Sequence, residues 1–382
     1  MNNKACVLHL THTNIDCDSR ILKEMNAVYD KDIDLLGIGI EFDEGAEYSG
    51  ENYKFTTENI NLLSKKLRIL PKFIRHLCVL LELILRMLPK IVKKRPIIIH
   101  CHDIVVLPVA VLSKIFKKSF IIYDAHELES DRNGLSQMLG KATLFIERKL
   151  WRFVDHLIVV SPSIENWYSE NVGQKPSTIV FNSPFLKEER KKIDSNYLRN
   201  KYRIPDNHKI FIYIGIFCQG RGIEKILEVF KDSTINASVV FLGYGELIDD
   251  LQCCSENFDN IYIHESVAHE DVVPIASTAD AGLCLIENVS LSDYYCLPNK
   301  LFEYIFSGIP ILASDIPDVK YIIDRYKLGI TCRLDVKSIK IAIDNYIRGN
   351  VTVDFTTSSL ERYSWKAQEE KLKKIYQHEL TS

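Results

Sequence analysis

Short apolar runs, most of them followed by a segment with helical spacing, recur along the chain in two series. Ala5–Leu10, Ile33–Gly39, Ile97–Cys101, Phe120–Tyr123 and His156–Val160 make the first. Ile210–Ile214, Val239–Leu242, Ile261–His264, Gly282–Ile286 and Ile311–Ala313 make the second. Such alternation predicts α/β architecture. Parallel strands need a crossover between them, and the crossover helix covers the sheet face. Between the series, residues 183–207 are polar and charged, with Pro184 and Pro205, and read as a linker. The expected plan is a first domain at 1–182, a second at 208–357 and a long terminal helix within 358–382.

Composition agrees with two domains, each with its own core. The chain has 382 residues, 46% hydrophobic and 26% charged. Its formal net charge of −3 offers no overall basic field for nucleic acid. Ten cysteines contain no Cys-x-x-Cys pair and no zinc spacing, so free thiols in a reducing cytosol are expected. The first residues run straight into a strand without a signal-peptide layout. Glu82 and Arg86 interrupt the longest apolar stretch before it reaches spanning length. A cytoplasmic protein, soluble or peripheral on the inner face of a membrane, is the expectation.

The segment Leu297-Pro298-Asn299-Lys300-Leu301-Phe302-Glu303-Tyr304 begins a short helix with clear punctuation. Pro298 suits its start, Gly308 a left-handed end, and Pro310 forbids continuation. Glu303 is its only acid, among Leu301, Phe302, Tyr304, Ile305 and Phe306. A carboxylate in such company needs a partner, a neighbouring base or a ligand. One turn back lie Asn299 and Lys300, at a helix start whose free N–H groups favour an anion. A carboxylate for sugar hydroxyls beside a phosphate-binding helix start suits a sugar nucleotide.

This segment resembles the donor-binding helix of the retaining GT-B glycosyltransferases of family 4. The resemblance implies two doubly wound, Rossmann-like domains facing across a cleft, with the terminal helix crossing back to the first. It implies that Glu303 holds the donor ribose and that the backbone at Leu297, Pro298 and Asn299 meets the diphosphate. Gly215-Ile216-Phe217-Cys218-Gln219-Gly220-Arg221-Gly222 follows a strand and opens a helix, which fits either a phosphate loop or a plain turn. In the family this loop commonly brings an early Arg and a later Lys to the diphosphate. Ile216 stands at the early position, so only Arg221 carries over, with Lys300 as the second cation. A further family-like loop contains Gly243, and Val267 lies where the base contact usually falls. Many members also have a glutamate eight residues before the one matching Glu303. Tyr295 stands there, and Asp293, Tyr294 and Tyr295 are either substitute sugar contacts or structural.

In the first half, Asp124-Ala125-His126-Glu127 ends a strand and resembles the family segment whose His lies near the transferred sugar. His126 is therefore expected to donate to a sugar hydroxyl or stabilise charge at the reacting carbon, with Glu127 on the acceptor side. The loop Thr13 to Glu24 resembles the acceptor border, with Asn14, Asp16 and Arg20 as candidates and Asp18 explained by helix capping. His100-Cys101-His102-Asp103 also resembles a family segment. Strand alternation turns Cys101 into the core, and no metal or other cofactor is expected.

Lys65 to Arg95 is strongly basic, with Glu82 its only acid, and interleaves leucines and isoleucines. It reads both as a helix covering the first sheet and as a surface for an anionic inner membrane. Together these features imply transfer of a sugar from a nucleoside diphosphate, UDP preferred, to a lipid-linked glycan, with retention of configuration. A GT-B sugar-nucleotide epimerase and a noncatalytic subunit of a polysaccharide assembly are the other readings, and oligomeric state is not legible.

Overall fold

The computed structural model describes residues 4–41, 53–66, 72–186, 193–232, 234–355 and 360–381. Parts of the basic segment (67–71), of the expected linker (187–192) and of the expected terminal segment (358–359, 382) lie outside the described residues.

Contacts divide the chain into two compact units, residues 1–180 with 368–382, and residues 181–367. In the first, strands β1 (Ala5–Leu10), β2 (Ile33–Ile40), β3 (Thr56–Ile60), β4 (Ile98–His102), β5 (Phe120–Ala125), β6 (His156–Val159) and β7 (Ser177–Ile179) form one parallel sheet. Their spatial order is β3-β2-β1-β4-β5-β6-β7. In the second, β8 (Lys209–Ile216), β9 (Ala237–Tyr244), β10 (Ile261–His264), β11 (Ala281–Cys284), β12 (Ile311–Ser314) and β13 (Gly329–Cys332) run in the order β10-β9-β8-β11-β12-β13, again parallel. Both sheets start in the middle, build outward to one edge, then cross back and build to the other. The order reverses between β1 and β4, and between β8 and β11. Doubly wound folds bind ligands beyond the strand ends at such a reversal.

The helices of the first unit are α1 (Ser19–Val28), α2 (Lys72–Lys94), α3 (Leu107–Ser113), α4 (Gln137–Leu150) and α5 (Pro162–Asn171). The second holds α6 (Tyr197–Tyr202), α7 (Ile223–Phe230), α8 (Ile248–Asn257), α9 (His269–Ala276), α10 (Leu291–Tyr294), α11 (Asn299–Ser307), α12 (Pro317–Tyr326) and α13 (Val336–Ile347). Helix α14 (Trp365–Thr381) belongs to the first unit from Gln368 onward. Among the described residues no helix is long and apolar enough to cross a membrane.

The sequence explains these elements locally. The side chain of Asp18 caps α1 by accepting from Ile21 N–H, and Ile21, Leu22 and Met25 are buried on one face. Helix α2 buries Leu83, Met87 and Ile91 at helical spacing, while Ile74, Leu77, Leu81 and Leu85 form a second, exposed stripe. Aromatic rings dominate the core of the second unit, with Phe211, Tyr213, Phe217, Phe230 and Phe241 all fully buried. Three strands had no apolar run to mark them: β3, β7 and β13 are sheet edges, short and half-exposed.

Candidate functional site

At the reversal in the second unit, the loop after β8 and the starts of two helices come together around two cations. Gly215, next to last in β8, has φ 123°, and Lys300 packs over it, its Nζ 3.9 Å from where a Cβ would stand. Gly243 ends β9 with φ 153°, and a Cβ on it would fall 1.9 Å from the Gly215 carbonyl oxygen. Gly220 and Gly222 also have left-handed backbone, φ 82° and 70°. Gly222 starts α7 and Pro298 starts α11, neither with a side-chain cap. Ser or Asp side chains cap α1, α4, α5, α10 and α13 instead. The starts of α3, α6, α8, α9 and α12 are likewise without a side-chain cap, so what marks these two is their place at the reversal beside Arg221 and Lys300.

Lys300 is buried in the first turn of α11, its Nζ 3.5 Å from the centre of the Tyr213 ring and without a hydrogen-bond acceptor among the described residues. Burial, and next among the lowering causes the charge of Arg221, bring its pKa down from the ordinary 10.5 to about 7. Arg221 is one-third exposed and pairs with Asp293 at 3.5 Å. Burial works against the Arg221 charge, but Asp293 outweighs it and holds the guanidinium firmly protonated. Glu303 follows Lys300 by three residues on the same helix and is buried, while Asn299 is exposed at the helix start and Leu297 is buried before it.

The placement of α11 is fixed by its next residue. The Tyr304 hydroxyl accepts from Ile214 N–H at 3.0 Å and faces the carbonyls of Ile212 and Leu283 at 3.0 and 3.2 Å, tying α11 to β8 and β11. The left-handed end expected at Gly308 is present, at φ 71°. Asp293, read as an alternative sugar contact, is buried, accepts from Ser290 Oγ at 2.7 Å and pairs with Arg221. Ile216, at the position of the family's early Arg, is exposed. Val267 is half-buried in the loop between β10 and α9, beside a cavity of about 680 Å³ lined in part by Gly243, Tyr244, His264 and Ser266.

The first unit has its own polar centre at the corresponding reversal. Parallel register sets His9 of β1 beside His100 of β4, and His102 of β4 beside Asp124 of β5. All four are fully buried, while Cys101 turns into the core. Arg20 and Glu24 enter from α1. Arg20 meets Asp124 at 3.1 Å and Glu24 at 3.0 Å, and is itself buried. Its guanidinium is engaged by two buried carboxylates. Burial opposes the Asp124 charge, yet Arg20 and then His126 hold that carboxyl well below its usual range. Burial, with Asp124 next, pushes Glu24 up to about 8. Burial pushes His100 down to about 3 and His102 to about 4. Imidazoles and carboxylates crowd here as they do around metals, but the positive charge Asp124 needs already comes from Arg20.

His126 is the exposed end of this cluster, its side chain 18% accessible. Its Nε2 lies 3.2 Å from Asp124 Oδ2 and its Nδ1 3.8 Å from Asp103 Oδ1. Burial works against its charge, but Asp124 and then Asp103 outweigh burial and raise it to about 9. Glu127 is exposed. Asn14 accepts from Asp16 N–H at 3.1 Å, and Asp16 accepts from Thr57 and Asn59, each at 2.6 Å, which ties this loop to β3. The residues that sequence reasoning passed over are His9, His12 and Glu129; Asp103 and Glu24 lie inside family-like segments that assign them no role. His9, His100, His102, Asp124 and His126 alternate in phase on three adjacent strands, a signal visible once the strand order is known.

Comparison with known proteins agrees with both halves. Residues 46–185 match the family described as Glycosyltransferase Family 4, and residues 194–377 match Glycosyl transferases group 1. No curated protein matches significantly. Sucrose-phosphate synthase from Thermosynechococcus elongatus superposes with a TM-score of 0.77 at 14% identity, over 98% of this chain and 99% of that one. HepE from Anabaena, in complex with UDP-glucose, gives 0.73 at 11% over the same shares. The lipopolysaccharide outer core galactosyltransferase WaaB gives 0.67 at 12%, again over 98% and 99%. At these identities the structural likeness speaks for the fold. With the family matches it defines an α/β transferase of the GT-B class. The chain belongs to the family 4 glycosyltransferases.

Proposed function

We propose that the protein transfers a sugar from a nucleoside diphosphate sugar to a hydroxyl of a lipid-linked glycan in polysaccharide biosynthesis, with retention at the anomeric carbon. The observation that carries this is the pair of uncapped helix starts flanked by Arg221 and by Lys300, a buried cation lacking an acceptor among the described residues. A diphosphate supplies acceptors for the helix starts and for Lys300, while Arg221, already paired with Asp293, flanks it. As the bond to the sugar breaks, negative charge grows on the departing phosphate, and preorganised donors stabilise it most at that moment. Glu303 is assigned to the donor ribose, the half-buried Val267 backbone to the base, and His126 to a sugar hydroxyl. The departing phosphate can take the acceptor's proton, so no carboxylate pair is required, and no metal is assigned to the diphosphate. UDP is favoured as the nucleotide; HepE is described with UDP-glucose.

The outer stripe of α2 supports docking on an anionic inner-membrane surface. Leu81 and Leu85 are 51% and 73% exposed, and basic residues flank them. Part of that charge is taken up locally, by Arg86 with Glu82 (2.8 Å), Lys90 with Glu58 (2.5 Å) and Lys94 with Asp34 (3.6 Å). The apolar stripe therefore supplies insertion and the remaining cations the attraction to lipid.

Incubation with UDP-sugars and a bacterial lipid extract tests the activity. Release of UDP that depends on the extract, with an α-configured product from an α-linked donor, is expected. An inverted product contradicts the mechanism, and UDP-sugar conversion without acceptor contradicts transfer.

A further inference from the structure

His126 faces a carboxylate with each ring nitrogen. A neutral imidazole would turn one lone pair toward a negative oxygen, whereas an imidazolium donates from both nitrogens. The groups around it come from every neighbouring element: Asp124 from its own strand, His102 and Asp103 from β4 and its end, His12 from the end of β1, and Arg20 and Glu24 from α1. Asp103 is held in left-handed backbone, φ 68°, a conformation uncommon for a residue with a side chain. That backbone directs its buried carboxylate between two half-exposed rings, His12 Nδ1 at 3.4 Å and His126 Nδ1 at 3.8 Å. Such strain collects where function fixes a geometry.

We propose that His126 acts as an imidazolium, that Asp103 is the positioning residue that keeps it so, and that this charge sets the direction of a buried hydrogen-bond chain. His126 Nε2–H faces His102 Nδ1 at 3.1 Å as well as Asp124. His102 must then carry its proton on Nε2, donating to His9 Nδ1 at 3.0 Å. His9 in turn donates from Nε2 to the Tyr376 hydroxyl of α14 at 3.1 Å. Tyr376 donates to His100 Nδ1 at 2.6 Å, and His100 Nε2–H faces Asp124 Oδ2 at 3.5 Å. The hydrogen-bonded chain ends at His100, whose Nε2 lies within ion-pair distance of the carboxylate from which it began but makes no hydrogen bond to it. A neutral His126 with a bare Nε2 would let every donor and acceptor reverse, with the His102 proton on Nδ1. The position of one proton on His102 therefore reports whether His126 Nε2 is protonated, and the proton on Nδ1, facing Asp103, decides whether the ring is charged.

The inference rests on the assignment of His126 to the reaction, but its test needs no substrate. Nitrogen-15 NMR of the histidine-labelled full chain should show a cationic His126 at neutral pH, titrating near 9, and His102 protonated on Nε2. Asp103→Asn tolerates left-handed backbone and Asp103→Gly relieves it altogether, so each removes the carboxylate with the turn intact. In both, the His126 titration should fall by about one unit or more. A neutral wild-type His126 at neutral pH, an Nδ1 proton on His102, or an unmoved titration in both variants overturns the proposal. The high-pH limb of turnover should follow the same shift. A limb that stays put while the NMR titration moves would refute the catalytic assignment of His126 and leave its charge state established.

Discussion

Lys300 is the residue whose physics is least comfortable without a ligand. Its folded value of about 7 lies below the ordinary 10.5, so the unfolded chain keeps a proton that the folded chain gives up. Free-protein stability therefore declines as pH falls from about 10.5 toward 7, and an anion beside Nζ restores what is lost. UDP binding above neutral pH should accordingly draw in up to one proton. Calorimetry in two buffers of different ionisation heat measures that number. Uptake in the wild type and none in Lys300→Gln is the expected result, and equal heats in both buffers would contradict it. His126 has the opposite sign. Its folded value of about 9 exceeds the ordinary 6.5, so its stabilisation is complete below 6.5 and disappears as pH rises through 9. Gly243→Ala would drive a methyl into the Gly215 carbonyl from a left-handed backbone. It should cost on the order of 2–3 kcal/mol in denaturant unfolding and displace the diphosphate loop. An unchanged midpoint would show that this approach has slack.

At the scale of elements, legibility followed burial. The runs that form β1, β4, β8 and β11 are apolar because both faces of a parallel sheet are covered, and they stood out in the sequence. Strands β3, β7 and β13 escaped because edge strands need only one partner and little apolar character, as Thr56-Thr57-Glu58 shows. Helix α11 was legible through its proline and glycine punctuation. What the pattern did not show is that Tyr304 fixes it to two strands. Tyr304→Phe removes the acceptor for Ile214 N–H inside the core and should cost about 1–3 kcal/mol. Nucleotide affinity should fall with it, since Lys300 and Glu303 ride on the same helix. Unaltered UDP affinity in a destabilised variant would separate the anchor from the site. For α2, Leu81→Glu with Leu85→Glu places acids on exposed positions. Stability should stay within about 0.5 kcal/mol, while flotation with anionic vesicles is lost. Retained flotation would remove this helix from the membrane account.

Across the whole molecule, one topology serves twice, and each copy gathers its polar residues where its strand order reverses. The proposed donor half was legible because the residues assigned to it sit in two continuous stretches, 215–222 and 297–304. The first unit was readable only at His126. Its companions come from β1, β4, β5, α1 and, through Tyr376, from the far end of the chain, so no local pattern collects them. Arg20, at a loop-to-helix junction, is buried between two carboxylates, surroundings that its local sequence does not reveal. The central claim is that the second unit binds a nucleoside diphosphate through Arg221, Lys300, Glu303 and the starts of α7 and α11. Thermal unfolding of the wild type and Glu303→Gln with UDP, GDP, ADP and CMP tests it most directly. A ligand at a hundred times its dissociation constant adds roughly 2.7 kcal/mol to the folded state. Stabilisation by UDP, weakened in Glu303→Gln, is the predicted result. Unchanged melting with every nucleotide at millimolar concentration would contradict the account.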